Sequence, residues 1–198
     1  MDRRHDDEPA QLELLLTSGA APSGPSGVLV PTAAGQVQVD ILEVTDADLA
    51  RLPDDPTDRL HVKSHAWAAA SATEVTIRAA GQPGPAVAVA EPGPLVAMKL
   101  QAVMNRGRVK EGTDLLDIVR LCLDPGARPA LLGQLGGSEP QLRADADRHA
   151  RRWFFDQAER SLRLVRAVPE GREIQLDDLH LVGELLHSSL LDGGAEGI

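Results

Sequence analysis

Hydrophobic spacing divides the chain into two parts. Up to residue 90, apolar residues come in short alternating or continuous runs bounded by Gly, Pro and Asp; after residue 94 they recur every three or four positions. The first part reads as strands. Residues 28–31 and 36–44 predict a hairpin about Thr32-Ala33-Ala34-Gly35, with Val37, Val39 and Ile41 on one face of the second strand and Gln36, Gln38 and Asp40 on the other. A short helix at 46–52 follows, capped by Thr45 and ended by Pro53-Asp54-Asp55-Pro56. Residues 66–73 are rich in small side chains and carry no clear period, while 74–79 and 86–90 read as two further strands about Gly81-Gln82-Pro83-Gly84-Pro85. The second part predicts helices at 95–106, 113–123, 128–135, 140–168 and 177–190. Strands first and helices after specify an α+β fold with a helical C-terminal part. No internal repeat is present.

Composition narrows the classes. A length of 198 residues suits one domain of ordinary size. Twenty basic against thirty acidic side chains give a formal charge of −10, which argues against a basic surface that grips nucleic acid without sequence preference. No apolar run reaches membrane-spanning length, and Met1-Asp2-Arg3-Arg4-His5-Asp6-Asp7-Glu8 has no apolar signal region, so neither a membrane span nor a secretory signal is expected. The single cysteine, Cys122, cannot form an internal disulfide; a cytoplasmic location is expected. Four aromatic residues (Trp67, Trp153, Phe154 and Phe155) make a poor base-stacking platform. The stretch Ser18 to Gly27 has too few apolar groups to offset its ordering entropy, and residues 1–27 are read as a flexible segment, with residues 192–198 as a flexible tail.

Three residues stand out chemically. At about 100° per residue, Lys99 falls within the arc of Leu95, Val96, Leu100 and Val103, with Gln101 and Asn105 opposite. A lysine there either snorkels, forms a structural ion pair or meets an anion. Asp114 falls between Ile118 and Leu121 and so faces inward, with Asp117, Arg120 and Asp124 on the other side; capping of a helix opened by Gly112-Thr113 explains an acid at that position but not its direction. Asp40, in mid-strand, is a single carboxylate that either points into a cleft and holds a hard cation such as Mg²⁺ or lies in solvent.

Other features read as structure. His61 and His65 have the i, i+4 spacing of helical metal ligands but lack a third ligand, and are expected to be a surface pair. Cys122 is expected in the core, as are Trp153, Phe154 and Phe155 together with Leu142, Ala146, Ala158, Leu162 and Val165 of one long helix. A glycine-rich phosphate loop after a strand and a nucleophile elbow are both absent from the sequence.

The run Pro94-Leu95-Val96-Ala97-Met98-Lys99-Leu100-Gln101-Ala102-Val103-Met104-Asn105-Arg106, followed by Lys110-Glu111-Gly112-Thr113-Asp114-Leu115-Leu116-Asp117-Ile118, resembles the C-terminal signature of the AbiEii/AbiGii toxin family of minimal, polymerase-β-like nucleotidyltransferases. That signature is a lysine in an apolar helix, a basic spacer, and Arg/Lys-Asp-x-x-Asp opening the next helix; Thr113 stands where the basic residue is expected. Gln36-Val37-Gln38-Val39-Asp40-Ile41-Leu42 is similar to the strand that carries the family's later acid.

The resemblance implies an incomplete nucleotidyltransferase-like core with a mixed sheet over residues 28–124 and a C-terminal helical region over 125–191. It also implies transfer of a nucleotidyl group from a nucleoside triphosphate in a bacterial toxin–antitoxin or abortive-infection setting. Lys99 and Asp114 would be catalytic, Lys99 and Asp117 would contact the nucleotide, Asp40 would hold Mg²⁺, and the partners would be a cognate antitoxin and a tRNA or protein acceptor. The family's first motif, Gly-Ser followed by Asp-x-Asp after a strand, has no counterpart here: Ser18-Gly19 is reversed, and Asp6-Asp7-Glu8 precedes any strand. The expectation is weak or absent transfer by the chain as it stands, or a degenerate, non-catalytic scaffold or interaction module.

Overall fold

The computed structural model describes residues 2–4, 9–24, 27–79, 81–105 and 108–192. Asp6, Asp7 and Glu8, and all of the expected tail beyond Asp192, lie outside them. Strands come first and a helical body follows, an α+β arrangement. The sheet, however, is divided among the described residues into separate ribbons rather than joined as one mixed sheet. Strand β1 (Asp2–Arg4) lies parallel to β5 (Glu43–Thr45), while β2 (Ala21–Pro22), β3 (Gly27–Thr32) and β4 (Gly35–Asp40) form an antiparallel sheet in that order. Strands β6 (Thr73–Ala79) and β7 (Gln82–Val89) pair, among the described residues, only with each other.

The β3–β4 hairpin has the expected register, Val28 opposite Val39 and Val30 opposite Val37. Its turn closes at Gly35, whose φ of 123° lies where a side chain is strained. The expected second strand, 36–44, is broken at Ile41-Leu42, because Glu43–Thr45 leaves β3 to pair with β1 instead. Most of β4 stays exposed, Val37 included. The segment read as flexible contains the strand β1, a helix, α1 (Gln11–Thr17), and the strand β2, so Asp6-Asp7-Glu8 follows a strand in the chain rather than preceding any.

Thr45 caps α2 (Asp46–Ala50) through a capping box with Asp48, as its sequence position predicts. Asp55, in the Pro-Asp-Asp-Pro break, then caps α3 (Pro56–Ala70), accepting from the backbone N–H groups of Thr57 at 2.8 Å and Asp58 at 3.2 Å. Those two N–H groups hold its carboxyl below the usual aspartate range, the Asp58 bond contributing most. Helix α3 takes in residues 66–70 of the segment without a clear period, and Thr73 opens β6: the helix face is built from Ala and Ser and carries little hydrophobic contrast, yet it buries Leu60, Val62, Ala66 and Ala68.

The helical body is built around α4 (Pro92–Asn105), which packs against α3, α5 (Arg108–Leu123), α6 (Arg128–Gly136) and α7 (Pro140–Arg151). Val96, Ala97, Met98, Leu100, Gln101 and Val103 are all buried, so α4 is covered on nearly every side, including the arc of Gln101 opposite the apolar one. The helix starts at Pro92 rather than residue 95, since prolines in a first turn cost no intrahelical bond.

Residues 140–168 do not form one helix. A π turn at Arg152–Asp156 separates α7 from α8 (Ala158–Ala167). Gln157 N–H reaches back five residues to Arg152 O, at 2.9 Å, and the Trp153 carbonyl accepts from the Ser161 hydroxyl at 2.8 Å. Trp153 and Phe154 are buried as expected, but the extra residue rotates Phe155 out onto α9 (Leu176–Asp192), where it is 38% exposed and lies over Gly183. A 3-10 turn, Pro169–Gly171, links α8 towards α9.

Helix α5 begins at Arg108, so Gly112 is inside it rather than at its start. The glycine is needed for packing: a Cβ there would stand 2.5 Å from the Leu164 carbonyl oxygen of α8. Gly112→Ala is expected to destabilise the protein by about 2 kcal/mol through forced separation of α5 and α8. Gly133→Ala on α6, where a Cβ would meet nothing within 4 Å, is expected to stabilise it by about 0.5–1 kcal/mol. Denaturant midpoints of the two variants check both signs.

Candidate functional site

Lys99 lies six residues before the end of α4 and Asp114 six after the start of α5, so in a helical hairpin the two come level. The structure brings them together. Lys99 Nζ is 3.0 Å from Asp114 Oδ1 and 2.7 Å from Asp117 Oδ2. The ammonium is mostly covered, with 19% of the lysine side chain exposed; Asp114 retains 5% and Asp117 45%. The snorkelling alternative is thereby set aside, since the lysine head turns to a pair of carboxylates on the neighbouring helix. Asp114 sits in the second turn of α5, and its inward direction comes from Lys99 rather than from capping. Asp117 does not point to the opposite side: at three residues' spacing it shares the stripe of Asp114 and approaches the same ammonium.

The stripe continues towards the start of α5. Lys110, one turn before Asp114, has its Nζ 3.3 Å from Asp40 Oδ2, and Gln38 Nε2 donates to Asp40 Oδ1 at 3.1 Å. Asp40 thus stands at the end of β4 against α5, and the residues singled out from the sequence fall along one helix face as Asp40, Lys110, Asp114, Lys99 and Asp117. These five residues, two lysines and three aspartates, carry one net negative charge among themselves. The donor set does not fit Mg²⁺ on Asp40, whose carboxylate is engaged by an ammonium and an amide N–H, and no group of three His, Cys, Asp or Glu suited to a metal occurs among the described residues.

The histidine pair is on α3, with ring centroids 4.2 Å apart. His65 is buried rather than on the surface, and His61 Nδ1 lies 3.3 Å from Gln101 Oε1, which explains how α4 accommodates a buried amide. Cys122 is fully buried, and burial pushes its thiol up to about 12, so it is an inert core residue.

A second polar cluster has no counterpart in the sequence reading. Arg59 of α3 grips Asp145 of α7 with both ends of its fork, Nε to Oδ2 at 2.7 Å and Nη2 to Oδ1 at 2.8 Å. His149, one turn on, donates from Nδ1 to the Asp145 carbonyl at 2.8 Å, leaving Nε2 to accept from the Thr57 hydroxyl at 3.3 Å. The 86-residue separation of Arg59 from Asp145 hides the pairing; the i, i+4 spacing of Asp145 and His149 was the only signal. Burial lowers the His149 pKa below its ordinary value.

Comparison with family models, with curated proteins and with solved structures finds no match to this chain.

Two measurements test this geometry. Lys99→Ala removes the ammonium that lies 3.0 Å from the buried Asp114 carboxylate and is expected to cost about 3 kcal/mol, whereas Lys99→Met combined with Asp114→Leu recovers most of that loss; chemical denaturation distinguishes them. His149 is neutral in the fold, with a native pKa below the 6.5 of an ordinary histidine. The unfolded chain therefore binds the proton first, and stability is expected to fall as pH drops from 6.5 through the lower native value. Thermal melts across that window should show a slope that His149→Gln reduces.

Proposed function

We propose that the chain is a nucleotidyltransferase-like protein of the toxin–antitoxin and abortive-infection type. In this reading the Lys99–Asp114–Asp117 cluster receives the phosphates of a nucleoside triphosphate, and transfer is weak or absent in the chain as it stands. The observation that carries this reading is convergence: the lysine and both aspartates on which the resemblance rests meet at one ammonium across two helices.

Each residue has a separable part. Asp114, buried and bonded to Lys99, positions the lysine head. Asp117 is the solvent-facing arm, and a phosphate oxygen can exchange with it at the ammonium because it is the carboxylate that water already reaches. Lys99 then neutralises phosphate charge, the contribution expected of a lysine in phosphoryl chemistry. The limitation on transfer follows from the same charges: both carboxylates beside Lys99 are engaged by its ammonium and Asp40 by Lys110, so none stands ready for a divalent cation. An antitoxin partner and a tRNA or protein acceptor belong to this reading.

A second reading, a non-catalytic scaffold or protein-interaction module of the same ancestry, is favoured by the engagement of those carboxylates with the row's own lysines.

Equilibrium binding and transfer assays with radiolabelled nucleoside triphosphates and Mg²⁺ test the two. The expected result is measurable triphosphate binding with little transfer, loss of binding in Lys99→Ala, and tighter binding by about three- to tenfold in Asp117→Asn, which removes a competing carboxylate. Binding that is indifferent to Lys99→Ala overturns the site, and no binding by any of the three proteins favours the scaffold.

A further inference from the structure

The β6–β7 ribbon stands apart from the helical body. Among the described residues its strands pair only with each other, Thr73 through Arg78 are all exposed, and Val75, Ile77 and Val89 are each more than two-fifths exposed. A two-stranded ribbon left this way is marginal in water, and its outer edges offer unpaired backbone groups.

The two edges are not equivalent. Strand β7 carries Pro83 and Pro85, which have no N–H to offer, and it holds the extra residue of the ribbon's bulge: between the pairs Thr76–Ala86 and Arg78–Pro83, β6 advances two residues and β7 three. Gly84 allows this, since a Cβ there would lie 2.9 Å from the Ile77 carbonyl oxygen. Strand β6 is consequently the regular one, with Thr73, Val75 and Ile77 on one face and Glu74, Thr76 and Arg78 on the other. It has neither Pro nor Gly and is mostly β-branched. Neither Glu74 nor Arg78 has an ion-pair partner among the described residues.

We propose that β6 pairs with β6 of a second copy of this chain, antiparallel about a twofold axis through Thr76, joining the two ribbons into one four-stranded sheet. The strand is self-complementary about that axis. Glu74 falls opposite Arg78 of the second copy, and Arg78 opposite its Glu74, while Thr76 meets Thr76 on the same face. On the other face Val75 meets Ile77, extending the Val75–Val87 pair already made within the chain.

Opposite charges and β-branched pairs directly across are the combinations that stabilise antiparallel strands. The described ribbon carries one Glu and one Arg, so the chain's overall charge of −10 is not concentrated at the contact. The assembly closes at two copies, because the new outer edges are the β7 edges with their prolines. This inference is independent of the nucleotide site.

Sedimentation equilibrium of the full chain tests it, with circular dichroism to verify the fold of each variant. The native chain is expected to dimerise between about 1 and 100 µM. Glu74→Arg, and separately Arg78→Glu, place like charges opposite each other twice per dimer and should weaken it about tenfold. An equimolar mixture of the two single variants restores opposite charges at both positions and should dimerise as the native chain does, and so should the double variant E74R/R78E. A monomer throughout the range, a dimer indifferent to both reversals, a mixture no tighter than its components, or assembly beyond two copies overturns the proposal.

Discussion

A lysine in the middle of a helix that is buried on nearly every side places a demand on whatever packs beside it. Helix α4 presents Val96, Ala97, Leu100 and Val103 to neighbours on all sides, and Lys99 lies among them. An ammonium so placed is tolerated only where carboxylates approach within hydrogen-bond distance. Helix α5 supplies two, at 2.7 and 3.0 Å, and that requirement sets the registry of the α4–α5 hairpin. Gly112 belongs to the same arrangement: by letting α8 approach the back of α5 as a bare backbone contact, it holds Asp114 and Asp117 towards α4.

Around that hairpin the polar contacts divide by how exchangeable they are. Asp114 and the Arg59–Asp145 fork are buried and join helices, the consecutive pair α4 and α5 and the pair α3 and α7 that are distant in sequence. Asp117 and the Asp40–Lys110 pair are open to water. Rigid partners hold a side chain in place and open ones can be displaced by an incoming anion, which is why the proposed phosphate site lies at the Asp117 end of the stripe. Asp40, Lys110, Asp114, Lys99 and Asp117 nearly balance one another in charge.

Periodicity made the helical part legible. The expected helices at 95–106, 113–123, 128–135 and 177–190 all correspond to observed ones, with ends that differ where Pro and Gly were read as breakers. Gly112 and Pro92 are both accommodated inside helices, one by packing and one by a first-turn position. The π turn also had a trace in the sequence. Leu142, Ala146, Ala150, Phe154, Ala158 and Leu162 recur strictly every fourth residue, a spacing that drifts about 40° per step around a 3.6-residue helix. One wide turn at Arg152–Asp156 absorbs the drift, and Phe155 leaves the core as a result. Helix α3 left no such trace, because a face of Ala, Ser and His has almost no hydrophobic contrast to detect.

The sequence by itself determined the α+β order, the Thr45 cap, the β3–β4 hairpin register, the core placement of Cys122 and the anomaly of Lys99 and Asp114, all of which depend on neighbours within a few residues. Only the tertiary structure decided what each anomalous residue meets. It showed Asp117 beside Asp114 rather than opposite it, Asp40 joined to Lys110, His65 inside rather than on the surface, and Arg59 in the grip of Asp145. Local pattern reports which side chains are out of place along one element. Their partners come from other elements, and the direction of approach is set by packing between helices, which no spacing within a single element encodes.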